Sequence, residues 1–294
     1  MSQLELRFQE DTSVKKVRRI PAQGQVLVKV GDIVSSETIV AKGTVLNPEI
    51  HDVKVYAELE VYPEEAEKYM LKDEGDDVKK DEVIAILRSF FGRSTRVCRS
   101  PVDGSIETFL RSSGRVLIRG KPIPVEVRAH IPGRVVDVIP NEGAVVECRA
   151  ALLQGIFGIG GETVGELIVT VDNPDEALAT ELIKDDHKGK IIVGGSFATV
   201  DALRKAATTG VNGIIVGGVD QKDLVDFLGY EIGTGITGKE KTGFTLIVTE
   251  GFGVHPMEER IFNFLKSHER KQASIDGSTQ IRTRMLRPEI ILPS

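Results

Sequence analysis

The sequence predicts a multidomain α+β protein with N-terminal all-β modules and a C-terminal α/β domain whose sheet is mainly parallel. Up to about residue 166, short runs rich in Val and Ile are separated by Gly and Pro turn signals, as in small all-β modules. From residue 167, strand and helix patterns alternate, as in a parallel sheet covered by helices. The length of 294 residues suits two domains, which we place at 1–166 and 167–294.

Composition narrows the class of protein. Hydrophobic residues make up 40% and charged residues 28%, so a packed core is expected and general disorder is not. The net charge of −6 has the wrong sign for a general binder of nucleic acids or anionic membranes. Aromatic residues make up 5% and Trp is absent, so few side chains are available to stack on single-stranded nucleic acid. We therefore do not expect nucleic acid as the partner.

Cysteine usage and the N-terminus indicate a cytoplasmic protein. Cys98 and Cys148 lie far apart and lack the paired spacing of a zinc site or a disulfide framework, so no metal is expected. The first residues, MSQLELRFQEDTSV, contain no apolar signal core. No apolar run approaches the roughly 18 residues of a membrane-spanning helix, so membrane insertion is not expected.

Two Gly-Asp turns mark an internal repeat in the β-rich half. Gly31-Asp32 and Gly75-Asp76 stand 44 residues apart and have similar neighbours. Glycine adopts positive φ and Asp bonds the backbone that follows, so each pair reverses the chain tightly. Residues 100–106 and 131–135 form a second pair of similar segments, and each has Pro and Gly before a predicted strand. Between the repeats, residues 63–72 (PEEAEKYMLK) predict one short helix.

These segments resemble the biotinyl/lipoyl-like barrel-sandwich hybrid family. The resemblance covers about residues 22–147 and rests on VKVGDIVSSETIVAKG, KDEGDDVKKDEVIAIL and SPVDGSIE. It implies lipoyl-like barrel-sandwich modules, in which carrier members present a lysine for biotin or lipoate on a hairpin. Here that hairpin is residues 88–96 (RSFFGRSTR), which contain no lysine, so we expect no covalent biotin or lipoate. The resemblance then implies a scaffold, as in the non-carrier relatives.

A glycine-dense segment, residues 155–166 (GIFGIGGETVGE), joins the two halves. Gly158 and Gly160 match the spacing of the dinucleotide-binding fingerprint, but Thr163 stands at the third glycine position. The segment also precedes a predicted strand, so no helix N-terminus is placed to receive a pyrophosphate. Two interpretations stay open: a closely packed corner, or a ligand-site wall made of free backbone N–H groups.

The C-terminal half predicts a Rossmann-like domain. Its buried strands are the apolar runs 167–171, 191–193, 213–216 and 245–249, and a last strand pair is expected within 278–293. One helix should begin at Asn173 and end near Lys184. The other helices should begin at Thr199, Asp220 and Pro256, and the first two should end at Gly210 and Gly229.

Three of these strands end in glycine just before a helix, which predicts a ligand-binding edge. The carboxyl ends of parallel strands meet at one edge of a sheet, where bare glycine backbone and helix N-termini favour a phosphate or carboxylate. The alternative is that short loops need glycine for geometry alone. The candidate ligand-binding residues along this edge are Gly194, Gly195, Ser196, Gly217, Gly218, Gly251 and Gly253.

Residues 233–240 (GTGITGKE) nearly match the phosphate-binding P-loop. Glu240 stands where a Ser or Thr should bind magnesium, and Glu would repel phosphate, so we expect no hydrolysis of nucleoside triphosphates. Gly238 and Lys239 are instead candidate anion contacts in a loop over the strand ends.

Glu250 and His255 are the catalytic candidates, because a carboxylate and an imidazole at this edge suit an acid and a base. Each also has a simpler interpretation, as a loop carboxylate and as a residue before a helix. We therefore expect a non-catalytic accessory or scaffold protein that binds a partner protein, an anionic small ligand or both at the glycine-rich strand ends. One alternative is an enzyme or redox-associated subunit that binds a nucleotide or flavin there. The other is a nucleic-acid-associated protein built from β modules.

Overall fold

The computed structural model describes residues 7–88, 95–230, 242–279 and 287–294. Strands dominate these residues and helices are few. Contacts between Cα atoms divide the chain into two compact units. Unit 1 comprises Met1–Arg19, Val26–Ala41 and Val127–Ser294, and unit 2 comprises Ile20–Gln25 and Lys42–Glu126.

The strands and helices of the described residues are numbered in chain order. The strands are β1 (Phe8–Arg19), β2 (Gly24–Val26), β3 (Ile33–Val34), β4 (Ile39–Val45), β5 (Ile50–Val53), β6 (Asp77–Val78), β7 (Val83–Arg88), β8 (Thr95–Arg99), β9 (Gly104–Leu110), β10 (Arg115–Gly120), β11 (Ile123–Arg128), β12 (Gly133–Ile139), β13 (Gly143–Gln154), β14 (Phe157–Ile159), β15 (Glu162–Val169), β16 (Ile191–Val193), β17 (Phe197–Ala198), β18 (Gly213–Val219), β19 (Thr245–Phe252), β20 (Gln272–Asp276) and β21 (Glu289–Pro293). The α-helices are α1 (Val55–Leu59), α2 (Val200–Thr209), α3 (Gln221–Leu228) and α4 (Glu259–Ser267). Short 3-10 helices span Pro63–Tyr69, Arg111–Ser113, Thr180–Leu182 and Asp185–His187.

One mixed sheet of twelve strands runs through unit 1. Its order is β14-β19-β18-β16-β15-β20-β21-β13-β12-β3, with β1 also beside β13 and β17 beside β18. The neighbours β19, β18, β16 and β15 are parallel, and β14 and β20 flank this group in the antiparallel sense. The four apolar runs predicted as C-terminal strands lie in this parallel group.

Alternate residues of the parallel strands point into two separate cores. On one face, side chains such as Ile192 and Ile214 pack with the buried residues of α2 and α3. On the other face, side chains such as Ile191 and Ile215 pack with the buried residues of α4. Burial on both faces explains why these strands read as continuous apolar runs. Among the described residues, none of the helices has the length and apolarity needed to cross a membrane.

The predicted helix from Asn173 to Lys184 is wrong. The segment forms turns and a three-residue 3-10 helix, and Leu178 makes a parallel β-bridge with Ala198. The backbone N–H of Leu178 donates to Phe197 O at 2.8 Å, and its side chain is fully buried. This tertiary pairing holds the chain extended in spite of its helix-start signal.

The predicted tail pair is displaced, and the predicted short helix has a different form. β21 lies within the predicted tail, but its partner β20 ends at Asp276, before the predicted range begins. Residues 63–69 form a 3-10 helix with Pro63 at its first position. The sequence signals therefore located the helix start at Pro63 and the strand β21. They did not predict the 3-10 form of the helix or the position of β20, the partner of β21.

The predicted boundary between residues 166 and 167 falls inside β15. Glu166 pairs with Gln272 of β20, and Leu167 pairs with Ile191 of β16, so one strand joins both sides of the boundary. The twelve-residue β13 pairs with β21 through its second half, which ties residues 143–154 to the end of the chain. Residues 127–294 therefore belong to one compact unit.

The internal repeat is visible as two equivalent turns. In the first, Asp32 N–H donates to Lys29 O, and Lys29 N–H donates to the Asp32 carboxylate. In the second, Asp76 N–H donates to Asp73 O, and Asp73 N–H donates to the Asp76 carboxylate. The glycine between each pair has a φ of 99° or 91°, which side chains beyond glycine rarely adopt. The Gly-Asp signal thus specifies the same turn twice.

The strands that follow the two turns match as well. Gly31 N–H donates to Val135 O, and Gly75 N–H donates to Ile106 O. The partner strands β12 and β9 each contain a bulge one residue later, where their pairing registers shift. We call residues 29–41 with 127–139 module A, and residues 73–85 with 98–110 module B. Because residues 42–126 connect the two halves of module A, the repeat is nested.

Unit 2 has its own core. A four-stranded sheet of order β5-β10-β9-β6 and the β7–β8 pair contribute to it, together with α1. Its fully buried members include Val55, Leu59, Ile84, Ile118 and Cys98.

Candidate functional site

The structure brings the predicted glycines together at the carboxyl ends of β16, β18 and β19. Gly217 N–H donates to Gly195 O at 2.8 Å, which joins the loop after β16 to β18. Gly218 is the register partner of Gly251. Gly194 and Ser196 flank Gly195, and Ser196 is buried. The strand ends therefore form one continuous edge, which we call the glycine edge.

The protein's own backbone fills the space beside three of these glycines. A Cβ atom at Gly195 would lie 2.4 Å from Glu176 O, one at Gly217 would lie 2.1 Å from His255 O, and one at Gly218 would lie 2.1 Å from Gly253 O. Real Cβ atoms do not approach backbone so closely. These glycines therefore admit neighbouring loops of the same chain, and that space is not open to a ligand.

Gly251 and Gly253 serve a different purpose. Their φ angles are 140° and 103°, and the Cβ direction of Gly251 meets open space. Phe252, between the two glycines, is 40% exposed, and Val254, which follows Gly253, is 61% exposed. The Phe252 ring packs on Phe157 of β14 at 4.9 Å between centroids. Residues Gly251–Val254 comprise the end of β19 and the turn after it, which we call the edge loop, and they hold two apolar side chains at the surface of the glycine edge.

The helix N-termini at this edge are capped by the protein's own side chains. The Thr199 hydroxyl accepts from Ala202 N–H of α2, as the sequence predicts. The Asp220 carboxylate accepts from the first turn of α3, and the Glu258 carboxylate accepts from Ile261 N–H of α4. Two of the three caps are carboxylates. They would repel a bound anion, and they already accept from the backbone N–H groups that such an anion would need.

Glu250 and His255 have contacts of their own. The Glu250 carboxylate lies 3.5 Å from the Arg7 guanidinium and accepts from Glu258 N–H at 3.4 Å. His255 Nε2 lies 2.8 Å from Phe252 O, to which it donates. These contacts anchor Arg7, the start of α4 and the edge loop, so each side chain has a positioning role. Gly238 and Lys239 lie outside the described residues.

The glycine-dense join is closely packed. A Cβ atom at Gly158 would lie 2.7 Å from Gly277 O, and one at Gly160 would lie 2.2 Å from Phe244 O. Gly161 differs, because its φ is 73° and its Cβ direction is open. The segment around β14 therefore serves mainly as a corner between strands.

A buried polar cluster was missed by sequence reasoning. His130 is 4% exposed, has a φ of 68°, and its Nε2 atom has no hydrogen-bond partner within the described chain. The Ser274 hydroxyl donates to His130 O at 2.5 Å. Arg18 binds the Glu162 carboxylate through two hydrogen bonds, of 2.5 and 2.6 Å. The repeat signal at residues 131–135 begins beside His130 but indicates no partner for it, so only tertiary structure reveals the cluster.

Burial and charge together shift two pKa values in this cluster. Burial lowers the pKa of His130 from 6.5 to about 4, and attraction to the Glu162 carboxylate offsets this only in part. Burial raises the pKa of Glu162, but the Arg18 hydrogen bonds and nearby positive charge outweigh it, so the pKa lies below its ordinary value. His130 is therefore neutral and Glu162 ionised at pH 7.

A groove of about 390 Å³ is lined by residues of unit 2. Its lining combines Lys42 and Glu126 with amide, hydroxyl and apolar groups, and it includes none of the predicted site residues. One cation and one carboxylate stand among uncharged groups there, so the lining selects no single ligand chemistry.

No protein-family model, curated protein or solved structure matches this chain. In the part of the chain that the structure describes, no group of three or more His, Cys, Asp or Glu side chains is arranged to hold a metal ion. The geometry of the glycine edge is therefore the basis for the functional interpretation.

Proposed function

We propose that the protein is a non-catalytic accessory or scaffold protein that binds a partner protein at the glycine edge. The exposed pair Phe252 and Val254 in the edge loop carries this proposal. Gly251 and Gly253 permit the path of the loop through their positive φ angles, and the bonds from Gly253 N–H to Val219 O and from His255 Nε2 to Phe252 O hold it there. Burial of Phe252 and Val254 against a partner would remove apolar surface from water without reordering the loop.

The contacts at the edge favour a partner protein over an anionic small ligand. Backbone of the same chain occupies the space beside Gly195, Gly217 and Gly218. The Asp220 and Glu258 carboxylates occupy the helix N-termini that would otherwise attract a phosphate. The same two observations count against a nucleotide or flavin at this edge.

We propose that modules A and B are barrel-sandwich hybrid modules that act as a scaffold, and that the parallel strands β15, β16, β18 and β19 with their helices form a Rossmann-like part of unit 1. The matching turns and bulges support the first part. The parallel strands with helices on both faces support the second. Cys98 and Cys148 are both free thiols, which fits a cytoplasmic location.

Site-specific photo-crosslinking tests the partner. A photoreactive amino acid at position 252 is expected to capture a protein that the same amino acid at Tyr62 of unit 2, which is 76% exposed, does not capture. With that protein purified, the Phe252→Ser/Val254→Ser variant should bind at least about tenfold more weakly by calorimetry. Tyr62→Ser is the matched control and should bind as the native protein does.

Two outcomes would contradict the proposal. One is the absence of any protein captured at position 252 beyond those captured at position 62. The other is equal affinity of the double variant and the native protein. Thermal unfolding with ADP, FMN and inorganic phosphate distinguishes the alternatives, because a ligand that binds the folded state raises the melting temperature. We expect no rise, and a clear rise would favour the anionic-ligand function.

A further inference from the structure

Val30 and Ile33 of module A are exposed aliphatic side chains where module B exposes carboxylates, and an exposed leucine, Leu27 or Leu71, stands two residues before each module. Leu27, Val30 and Ile33 are 42%, 60% and 72% exposed. The positions 44 residues later are Leu71, Glu74 and Asp77, all of them exposed. Both turns have the same backbone hydrogen bonds, so module B serves as an internal control for what this turn requires.

In module B the Glu74 carboxylate accepts hydrogen bonds from the bulged strand, and in module A the Asp137 carboxylate takes over one of these bonds. Glu74 accepts from the Thr108 hydroxyl at 2.7 Å and from Phe109 N–H at 2.8 Å. The module A position that corresponds to Phe109 is Val138, whose N–H donates to the Asp137 carboxylate at 2.9 Å. The bulged strand of module A is therefore satisfied locally, and position 30 is free of that requirement.

The fold thus gives no reason for Val30 and Ile33 to be apolar. A Glu at position 30 and an Asp at position 33 would match the residues that module B carries in the same backbone. Exposed aliphatic side chains that the fold does not need, grouped around one turn, are typical of an interface. We call Leu27, Val30 and Ile33 the aliphatic turn face.

We propose that the aliphatic turn face binds a second copy of this chain. Ile33 lies in β3, the last strand of the twelve-stranded sheet, which pairs only with β12 among the described strands. An edge strand that meets its own copy antiparallel forms a two-fold contact, in which both copies use the same residues.

The charges beside the turn fit that symmetry. Lys29 and Asp32 stand on the two sides of Val30 and Gly31 and have opposite signs. A second cation lies at the turn, because the Arg134 guanidinium donates to Gly31 O at 3.3 Å. In a two-fold contact the Lys29 of each copy can face the Asp32 of the other, so the surface is complementary to itself. The aliphatic patch is small against the roughly 1,200–2,000 Å² of stable interfaces, so a weak, reversible dimer is expected.

Sedimentation velocity of the full chain tests the dimer. The average mass of the native protein should rise toward that of a dimer between about 10 and about 500 µM, as a weak interface predicts. Val30→Glu/Ile33→Asp, which installs the residues of module B, should raise the dissociation constant at least about tenfold. Leu71→Glu alters the exposed leucine that stands two residues before module B, as Leu27 does before module A, and this variant should associate as the native protein does.

Circular dichroism of each variant separates loss of association from loss of folding. If the double variant is unfolded, the single changes Val30→Ser and Ile33→Ser replace it and should each weaken association about threefold or more. A native protein that stays monomeric over the whole range overturns the proposal and assigns the face to a different partner. Unchanged association in the folded variants also overturns it.

Discussion

Replacing Gly218 by alanine is expected to destabilise the protein by about 3 kcal/mol, because a side chain in a tightly packed site forces the backbone to move. The added Cβ would lie 2.1 Å from the carbonyl oxygen of Gly253, which is backbone and lacks a rotamer that could give way. The change would push the edge loop away from β18. Urea unfolding followed by circular dichroism measures the loss.

Gly213→Ala in the same strand is the matched control. Its added Cβ would meet the Cδ1 atom of Ile275 at 2.4 Å, and that atom is the movable end of a side chain. We expect a cost of about 1 kcal/mol, well below that of Gly218→Ala. Equal stability of Gly218→Ala and the native protein would mean that the glycine edge is open, and the ligand interpretation would regain its basis.

Acidification from pH 7 to pH 5 is expected to cost about 2 kcal/mol of unfolding free energy through His130 alone. The pKa of this histidine is about 4 in the folded protein against an ordinary 6.5. Above pH 6.5 the imidazole is neutral in both states and contributes no pH dependence. Between pH 6.5 and 4 the unfolded chain binds the proton and the folded chain does not, so stability falls as the pH falls.

The comparison is with His130→Asn, since asparagine tolerates the positive φ of this position. Stability measured at pH 7, 6 and 5 should decline less steeply in the variant, by about 2 kcal/mol over the range. Glu162 has a lowered pKa, so its contribution is lost at still lower pH and does not obscure this window. Parallel declines in both proteins would contradict the assignment to His130.

Local signals predicted the parts of the fold that local physics decides. The Thr199 and Asp220 caps, the helix stops at Gly210 and Gly229, and the buried strands all follow from short-range bonding and apolar runs. The Asn173 signal failed because Leu178 finds a strand partner, Ala198, that no local pattern names. Likewise β1 pairs with β13 between Phe8 and Leu153, which a window of neighbouring residues cannot show.

For the candidate site too, the sequence predicted the features that depend on local signals and missed those that depend on distant residues. Glycines at the ends of three strands predicted a common edge, and the pairing of Gly218 with Gly251 brings that edge together. Sequence could not tell what would fill the space beside each glycine, because the answer lies in loops such as the one that contains Glu176. The His130 cluster was invisible for the same reason, since its charges come from β1 and β15.

The nested repeat also sets an order for synthesis on the ribosome. Residues 42–126 are contiguous, so strands β5 to β10 of unit 2 are all complete once residue 126 has been added. Unit 1 has no such freedom, because the second half of β13 pairs with Ile290 and Ile291 near the end of the chain. The nascent protein therefore carries that apolar strand with an open side until β21 has been synthesised.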